Sequence, residues 1–130
     1  YIDRSRLMQI IVNLLQNAKD ALLEDSSGKA EKQIIITTKI SEDDSSKILL
    51  VVEDNGVGIS QENIAKIFGY GFSTKKHGHG IGLHSSAISA SELGGKLRME
   101  SDGVGKGARF ILELPLTEEL LTGVKNVTIK

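Results

Sequence analysis

Glycine is concentrated in the middle of this chain, and that feature restricts its fold more than any other. The chain has 14 glycines in 130 residues, against an average frequency of roughly 7%. Seven of the 14 lie between residues 56 and 82. Because glycine has no Cβ, its backbone can adopt turns and close approaches that other residues cannot. The sequence therefore predicts that this stretch turns tightly or lies close to a ligand.

Composition excludes several classes of function. The net charge is -1, aromatic residues make up 4% and tryptophan is absent, which argues against a broad nucleic-acid surface. Cysteine is absent too, so disulfides, thiolate metal sites and cysteine catalysis are excluded. No apolar run approaches the roughly 20 residues that span a bilayer, and no secretory signal is present. Since the chain starts at Tyr1, we expect a piece of a longer protein.

Hydrophobic periodicity predicts three helices and four strands. The predicted helices cover residues 3–23, 60–68 and 82–93, and the predicted strands cover 33–40, 47–53, 96–101 and 108–114. Polar or glycine-rich connections are expected at 41–46, 69–81 and 103–107, and residues 116–130 show no clear pattern. The mixture of elements predicts an α/β (α+β) sandwich with one sheet and three helices on one face.

Two of the predicted helices have a recognisable apolar side. The first helix should bury Leu7, Ile10, Ile11, Leu14, Ala18 and Ala21, which recur at helical spacing. The third helix is expected to turn Leu83, Ala87, Ile88 and Ala90 inward. The continuous apolar run at residues 48–52 is typical of a strand that is covered on both faces.

The first helix also carries a polar strip beside its apolar side. Asn13 and Asn17 are four residues apart, so they share a helix face, and Asp20 follows three residues later. Amide oxygens are suitable ligands for Mg²⁺, which takes one or two protein oxygens and completes its shell with phosphate and water. The alternative is that both asparagines lie on the solvent-exposed side of an amphipathic helix.

A second candidate site follows the most apolar strand. Asp54 stands at the strand end, with Gly56 and Gly58 immediately after it. A buried carboxylate there could accept a hydrogen bond from an exocyclic amine, and the glycines could let a flat ring approach the backbone. The alternative is that Asp54, Asn55 and Gly56 form an ordinary turn.

A third candidate is the glycine-rich segment that leads into the third helix. Free N–H groups at a helix N-terminus suit a phosphate, and Lys75 or Lys76 could add positive charge. A flexible loop without function is the alternative. The three histidines provide only weak support for zinc in a chain without cysteine; they are His77, His79 and His84.

The order of these signals resembles that of a known family. The sequence is similar to the catalytic, ATP-binding domain of sensor histidine kinases, which belongs to the GHKL superfamily. Its N, G1, F and G2 boxes are matched by Asn-Leu-Leu-Gln-Asn-Ala at residues 13–18, Asp54-x-Gly56-x-Gly58, Phe72-Ser-Thr-Lys75 and Gly78-x-Gly80-x-Gly82-Leu83. Asn-Ala-x-Asp-Ala at residues 17–21 resembles the nitrogen-regulation and dicarboxylate-sensing branch. The resemblance covers about residues 3–115 of a single domain, 1–130, and leaves a tail at 116–130.

The resemblance implies a mixed sheet of about five strands with three helices on one face. It implies that Asn17 holds Mg²⁺, that Asn13 lies on the same phosphate side, and that Asp54 binds the adenine amino group. Glycines 56 and 58 would pack against base and ribose, and residues 69–80 would form a lid. Further ATP-binding positions would be Asp20, Ile59, Phe72, Ser73, Thr74, Lys75, Gly78, Gly80, Ile81, Gly82, Leu83, His84 and Phe110.

Two departures from the family pattern bear on nucleotide binding. Many members carry Lys where this chain has Asp20, and Thr or Ser where it has Ala108. Hydrolysing relatives place a Glu as general base where this chain has Asn13. An amide cannot accept a proton at neutral pH, so phosphoryl transfer is favoured over ATP hydrolysis.

The resemblance implies a protein-histidine kinase that uses ATP and Mg²⁺ in two-component signal transduction. The phosphorylated histidine would lie on a separate dimerisation domain of the same sensor, which is absent here, so the isolated chain should be nearly inactive alone. A response regulator would be an indirect partner, and the homodimer would form through the missing domain. Neither nucleic acid nor a membrane is expected to contact this piece. A cytoplasmic location is implied, whether or not the parent protein is anchored in an inner membrane. The alternatives are a GHKL-type ATPase, an anti-sigma-like serine kinase or a degenerate nucleotide-binding module.

Overall fold

The computed structural model describes residues 3–28, 31–68 and 82–117, and the backbone of 127–129. The helices in these ranges are α1 (Arg4–Glu24), α2 (Gln61–Ile64) and α3 (Gly82–Glu92). The strands are β1 (Ile34–Ile40), β2 (Lys47–Asp54), β3 (Lys96–Glu100), β4 (Ala108–Pro115) and β5 (Val127–Ile129). The α/β class, the three helices and the four strands expected from periodicity are confirmed, although α2 ends at Ile64 and residues 65–68, predicted to be helical, form a turn. The predicted loop at 69–81 lies outside the described residues.

The sheet has the strand order β3-β4-β2-β1-β5, and every pairing in it is antiparallel. The expectation of a mixed sheet is therefore wrong. Short loops join β1 to β2 and β3 to β4, and such loops can connect only antiparallel neighbours. The helical crossover between β2 and β3 places β3 beyond β4 instead of beside β2. Four strands of five to eight residues form the body of the sheet, and the three-residue β5 comes from the tail that showed no pattern.

The β1–β2 hairpin closes through the polar loop at 41–46, as predicted. Its last strand pair is Ile40 opposite Ile48, and the backbone N–H of Ser41 donates to the Lys47 carbonyl at 3.0 Å. Within the loop, Asp44 Oδ1 accepts hydrogen bonds from Ser46 Oγ at 2.6 Å and from Ser46 N at 2.9 Å. These bonds stabilise the charged form and lower the pKa of the Asp44 carboxyl below its usual 3.8.

Helix α1 begins where its sequence predicts and buries three of the six residues of its expected apolar side, while Leu7, Ile11 and Ala21 are partly buried. Asp3 is the N-cap, and its Oδ1 accepts a hydrogen bond from the N–H of Arg6 at 3.1 Å. Ile10, Leu14 and Ala18 are fully buried, because they recur on one side of the helix. This side packs against β2, and α1 also contacts α3, so the two longer helices cover the same face of the sheet.

Helix α3 buries a different set of side chains from the one expected. Ser86 and Ala90 are its buried residues, whereas Ile88 is 47% exposed, so the prediction of an inward Ile88 is wrong. Ser86 and Ala90 are four residues apart and share a face, and Ile88 lies about 200° around the helix from Ser86. The helix ends at the predicted glycine pair, where Gly94 has a φ of 83° and Gly95 N donates to the Ala90 carbonyl at 2.9 Å.

Candidate functional site

A pocket lies between the second half of α1, the loop after β2 and the ends of β3 and β4. Apolar side chains form most of its wall, and Asn17 and Glu24 add polar groups from α1. Its lining consists of Asn17, Ala21, Glu24, Val57, Gly58, Ile59, Ile67, Met99, Ala108 and Phe110. A largely apolar wall with a few oriented polar groups is the usual composition of a small-molecule site.

Four of the predicted site residues meet in this pocket: Asn17, Gly58, Ile59 and Phe110. They come from three separate parts of the chain, so only the fold brings them together. The periodic pattern of α1 explains two lining residues that were not predicted, because Ala21 and Glu24 follow Asn17 on the same helix side. Met99 could have been found from strand pairing, since it lies opposite Phe110.

Asp54 is buried at the end of β2, next to this pocket. It is 4% exposed and lies opposite Ala108, a pocket residue, in the β2–β4 ladder. Its Oδ1 accepts a hydrogen bond from Gly56 N at 2.8 Å, which is the bond of an Asx turn. Its second oxygen, Oδ2, is buried as well. The turn and the buried carboxylate, treated as alternatives in the sequence, therefore exist together.

The loop after Asp54 is packed tightly against the backbone on both sides. A Cβ on Gly56 would lie 2.6 Å from the carbonyl carbon and oxygen of Ala21 in α1. A Cβ on Gly58 would lie 2.2 Å from the Gly103 carbonyl oxygen, and Gly58 has a φ of 70°. Both glycines are thus required by contacts within the chain, whatever they do toward a ligand.

Asn55 fastens the same loop to the start of β1. Its Oδ1 accepts a hydrogen bond from Gln33 N at 2.8 Å, and its Nδ2 donates to the Glu31 carbonyl at 2.8 Å. The backbone of Val57 donates to Ala21 O at 3.1 Å on the α1 side. The loop that carries the pocket is therefore held from two directions before any ligand binds.

Ser101 connects the loop after β2 with the turn between β3 and β4. Its Oγ donates to the Gly107 carbonyl at 2.6 Å and accepts from the N–H groups of Ile59 and Gly103, both at 3.2 Å. One hydroxyl thus joins three backbone segments. Sequence reasoning missed this residue, because a serine after a strand has no distinctive pattern.

Replacing Ser101 with alanine is expected to lower the free energy of unfolding by about 1–3 kcal/mol. The reason is that the Gly107 carbonyl would lose its hydroxyl donor and the two N–H groups their acceptor, and an unsatisfied buried polar group costs about that much. Urea denaturation would measure the change. The exposed Ser45 in the hairpin loop provides the control, and an equal effect of Ser45→Ala and Ser101→Ala would contradict this role.

The polar strip of α1 lies at the edge of the pocket. Asn17 lines the pocket, whereas Asn13 Nδ2 donates to Ser86 Oγ on α3 at 3.1 Å. Asp20 is directed toward the helix surface, where its Oδ1 accepts from Gln16 Nε2 at 3.0 Å. Asn17 therefore faces the pocket and Asn13 faces α3, and the alternative of a wholly solvent-exposed strip is wrong.

The remaining predicted residues belong to α3 or to the segment before it. Leu83 packs against the core, Gly82 is exposed with no described atom within 4 Å of where a Cβ would lie, and His84 Nδ1 lies 2.9 Å from the Phe68 carbonyl. Phe68 in turn meets Phe110 edge-on, with ring centroids 6.4 Å apart. The predicted positions outside the described residues are Phe72, Ser73, Thr74, Lys75, Gly78, Gly80 and Ile81.

Carboxylates and amides provide the polar groups on the described side of the pocket. Glu24 is the charged residue of the pocket lining, and Asp54 lies next to the pocket.

Among the residues that the structure describes, no group of three or more His, Asp or Glu side chains could hold a metal ion. No helix within the same ranges is long and apolar enough to cross a membrane.

The chain is similar to a known protein family and to several curated proteins. Residues 2–118 match the profile of the family described as histidine kinase-, DNA gyrase B- and HSP90-like ATPases. The sensor protein CitS of Halalkalibacterium halodurans is 42% identical over 113 residues, which are 86% of this chain and 20% of CitS. The sensor protein FixL of Bradyrhizobium diazoefficiens is 32% identical over 117 residues, 90% of this chain and 22% of FixL. The chain thus spans about a fifth of these curated relatives.

Solved structures of related proteins share the fold of this chain. The nucleotide-free catalytic domain of histidine kinase ThkA superimposes with a TM-score of 0.70 and 33% identity, over 88% of this chain and 69% of that one. Full-length ShkA in complex with AMPPNP superimposes with a TM-score of 0.70 and 25% identity, over 85% of this chain and 21% of that one.

Proposed function

We propose that this chain, which belongs to the family of histidine kinase-, DNA gyrase B- and HSP90-like ATPases, binds Mg-ATP and donates the γ-phosphoryl group to a histidine of a sensor kinase. The observation that carries the proposal is the buried carboxylate of Asp54, which pairs with Ala108 at the edge of an apolar pocket that Asn17 also lines. An adenine ring would enter the apolar part, with its amino group toward Asp54. The phosphates would then extend toward the polar strip of α1.

The donor set on α1 fits a magnesium ion. Asn13 and Asn17 present amide groups on one side of the helix, and Mg²⁺ is commonly held by one or two protein oxygens together with phosphate oxygens. The described lining of the pocket contains no Lys or Arg, and a bound magnesium ion would neutralise part of the phosphate charge. Asn17 would hold that ion; Lys75, outside the described residues, is proposed as a further contact.

Phosphoryl transfer suits these residues better than hydrolysis does. Asn13 occupies the position of the general base in hydrolysing relatives, and its amide cannot accept a proton. In the proposed reaction, a histidine ring nitrogen forms a bond to the γ-phosphorus while the bond from that phosphorus to the bridging oxygen breaks, and ADP leaves. The protein then contributes positioning and charge neutralisation, which are the main means of catalysis in such transfers.

The acceptor and the assembly are proposed by analogy with the relatives, which are named as sensor proteins. We propose that the acceptor histidine lies on a dimerisation domain of the parent protein, so that the homodimer forms there, and that a response regulator is the indirect recipient. Because ATP is an intracellular metabolite, a cytoplasmic location is proposed. The chain itself is proposed to be one domain, with residues 3–115 as its core.

Calorimetric titration tests the nucleotide part of this proposal. We expect the chain to bind ADP and a non-hydrolysable ATP analogue saturably, with affinity that rises when MgCl₂ is added. GDP is the matched control ligand, because it lacks the adenine amino group. Equal binding of ADP and GDP, or no binding of either, would contradict the proposed function.

A further inference from the structure

Ser86 places a hydroxyl group in the apolar layer between α3 and the sheet. It is 1% exposed and lies one helical turn from the fully buried Ala90. Burying a hydroxyl is unfavourable unless it forms a hydrogen bond, so this position requires a polar partner. Asn13 on α1 meets that requirement, since its Nδ2 lies 3.1 Å from Ser86 Oγ.

Packing alone does not explain a serine at this position. Alanine is a better helix former and would occupy nearly the same volume, as Ala90 does one turn later. The α1–α3 contact has other support, including the ion pair between Arg6 and Glu92. The hydroxyl is therefore best explained by what it does to Asn13.

Asn13 has a planar amide whose nitrogen and oxygen point in different directions. When Nδ2 donates to Ser86 Oγ, the amide can no longer rotate freely, and Oδ1 is turned away from Ser86. Asn17 lies four residues further along the same side of α1. With its nitrogen bonded to Ser86, the oxygen of Asn13 is the amide atom that remains available to a ligand.

We propose that Ser86 is a positioning residue that fixes the amide of Asn13 with its oxygen, and not its NH₂ group, toward the magnesium-phosphate end of the nucleotide. This inference rests on the proposed function, because it presupposes a nucleotide in the pocket. Without Ser86, the amide samples both orientations, and the one that presents NH₂ to the metal ion is unproductive. The cost should appear in the magnesium-dependent part of nucleotide affinity and not in adenine binding.

Titration of the whole chain with ADP, with and without MgCl₂, tests the expected effect of Ser86 on nucleotide affinity. Ser86→Ala should weaken ADP binding about threefold to tenfold in MgCl₂, the usual effect of one hydrogen bond, and leave binding without Mg²⁺ nearly unchanged. In an Asn13→Ala background, Ser86→Ala should have no further effect on affinity. Ser85→Ala on the same helix is the matched control. Equal weakening with and without Mg²⁺, or additive effects of Ser86→Ala and Asn13→Ala, would overturn the proposal.

Nuclear magnetic resonance of the ligand-free chain gives a readout that does not depend on nucleotide. The Asn13 side-chain amide signals, assigned by their loss in Asn13→Ala, should shift and exchange faster with solvent in Ser86→Ala but not in Ser85→Ala. Unchanged signals in Ser86→Ala would overturn the proposal even if nucleotide binds. Failure of the wild-type chain to bind ADP would instead refute the proposed function, while the Ser86–Asn13 contact would still be tested by these signals.

Discussion

Asp54→Asn is expected to weaken ADP binding by about 10-fold to 100-fold, because a hydrogen bond to a charged group contributes about 1.5–3 kcal/mol. Asparagine has nearly the same shape and can still accept from Gly56 N, as Asp54 Oδ1 does at 2.8 Å. It replaces one carboxylate oxygen by an NH₂ group, however, and in the proposed complex that group would meet the adenine amino group donor to donor. Calorimetric titration with ADP would measure the loss.

Glu53 offers a control in the adjacent position. Its Oε2 is 3.8 Å from Arg109 Nε and it does not line the apolar pocket, so Glu53→Gln removes the same charge without changing that lining. Inosine diphosphate, in which an oxygen replaces the adenine amino group, should bind the wild type poorly and lose little further affinity in Asp54→Asn. If Glu53→Gln and Asp54→Asn weaken ADP binding equally, Asp54 does not recognise adenine.

The sequence predicted most of the helices and strands because each has a strong local signal. Asp3 caps α1, the apolar stripe of α1 has helical spacing, and Gly94 ends α3. Strand direction has no such signal. The antiparallel sheet follows from the position of β4 between β2 and β3, which is a tertiary arrangement. Similarly, β5 is recognisable only from its pairing with β1, since three residues are too few to show a period.

The candidate site was predicted in part, and for a related reason. Asn17 and Asp54 could be recognised as candidate site residues because residue type and spacing can be read directly from the sequence. The function of Ser101 and Ser86 depends on which backbone or side chain lies opposite each hydroxyl, and that is decided by folding. Ile88 was predicted to be buried from its hydrophobicity alone. In the folded helix Ser86 faces the core, and Ile88 is exposed.

Gly58→Ala is expected to lower the free energy of unfolding by about 3 kcal/mol or more. Two costs combine: an L-residue in the left-handed region loses about 1–2 kcal/mol, and the new Cβ would lie 2.2 Å from the Gly103 carbonyl oxygen. The second cost forces the loop and the β3–β4 turn apart, and large effects of single substitutions come from clashes of this kind. Urea denaturation would measure the total.

Gly28→Ala separates the two costs. Gly28 has a φ of 75°, close to the 70° of Gly58, but nothing lies within 4 Å of where its Cβ would be. It should therefore lose only the strain part, about 1–2 kcal/mol, and keep full ADP affinity. Gly58→Ala should also bind ADP more weakly at temperatures where it remains folded, because the displaced loop carries part of the pocket wall. Equal urea midpoints for the two variants would mean that the loop accommodates a Cβ, and that Gly58 is required for its backbone conformation alone.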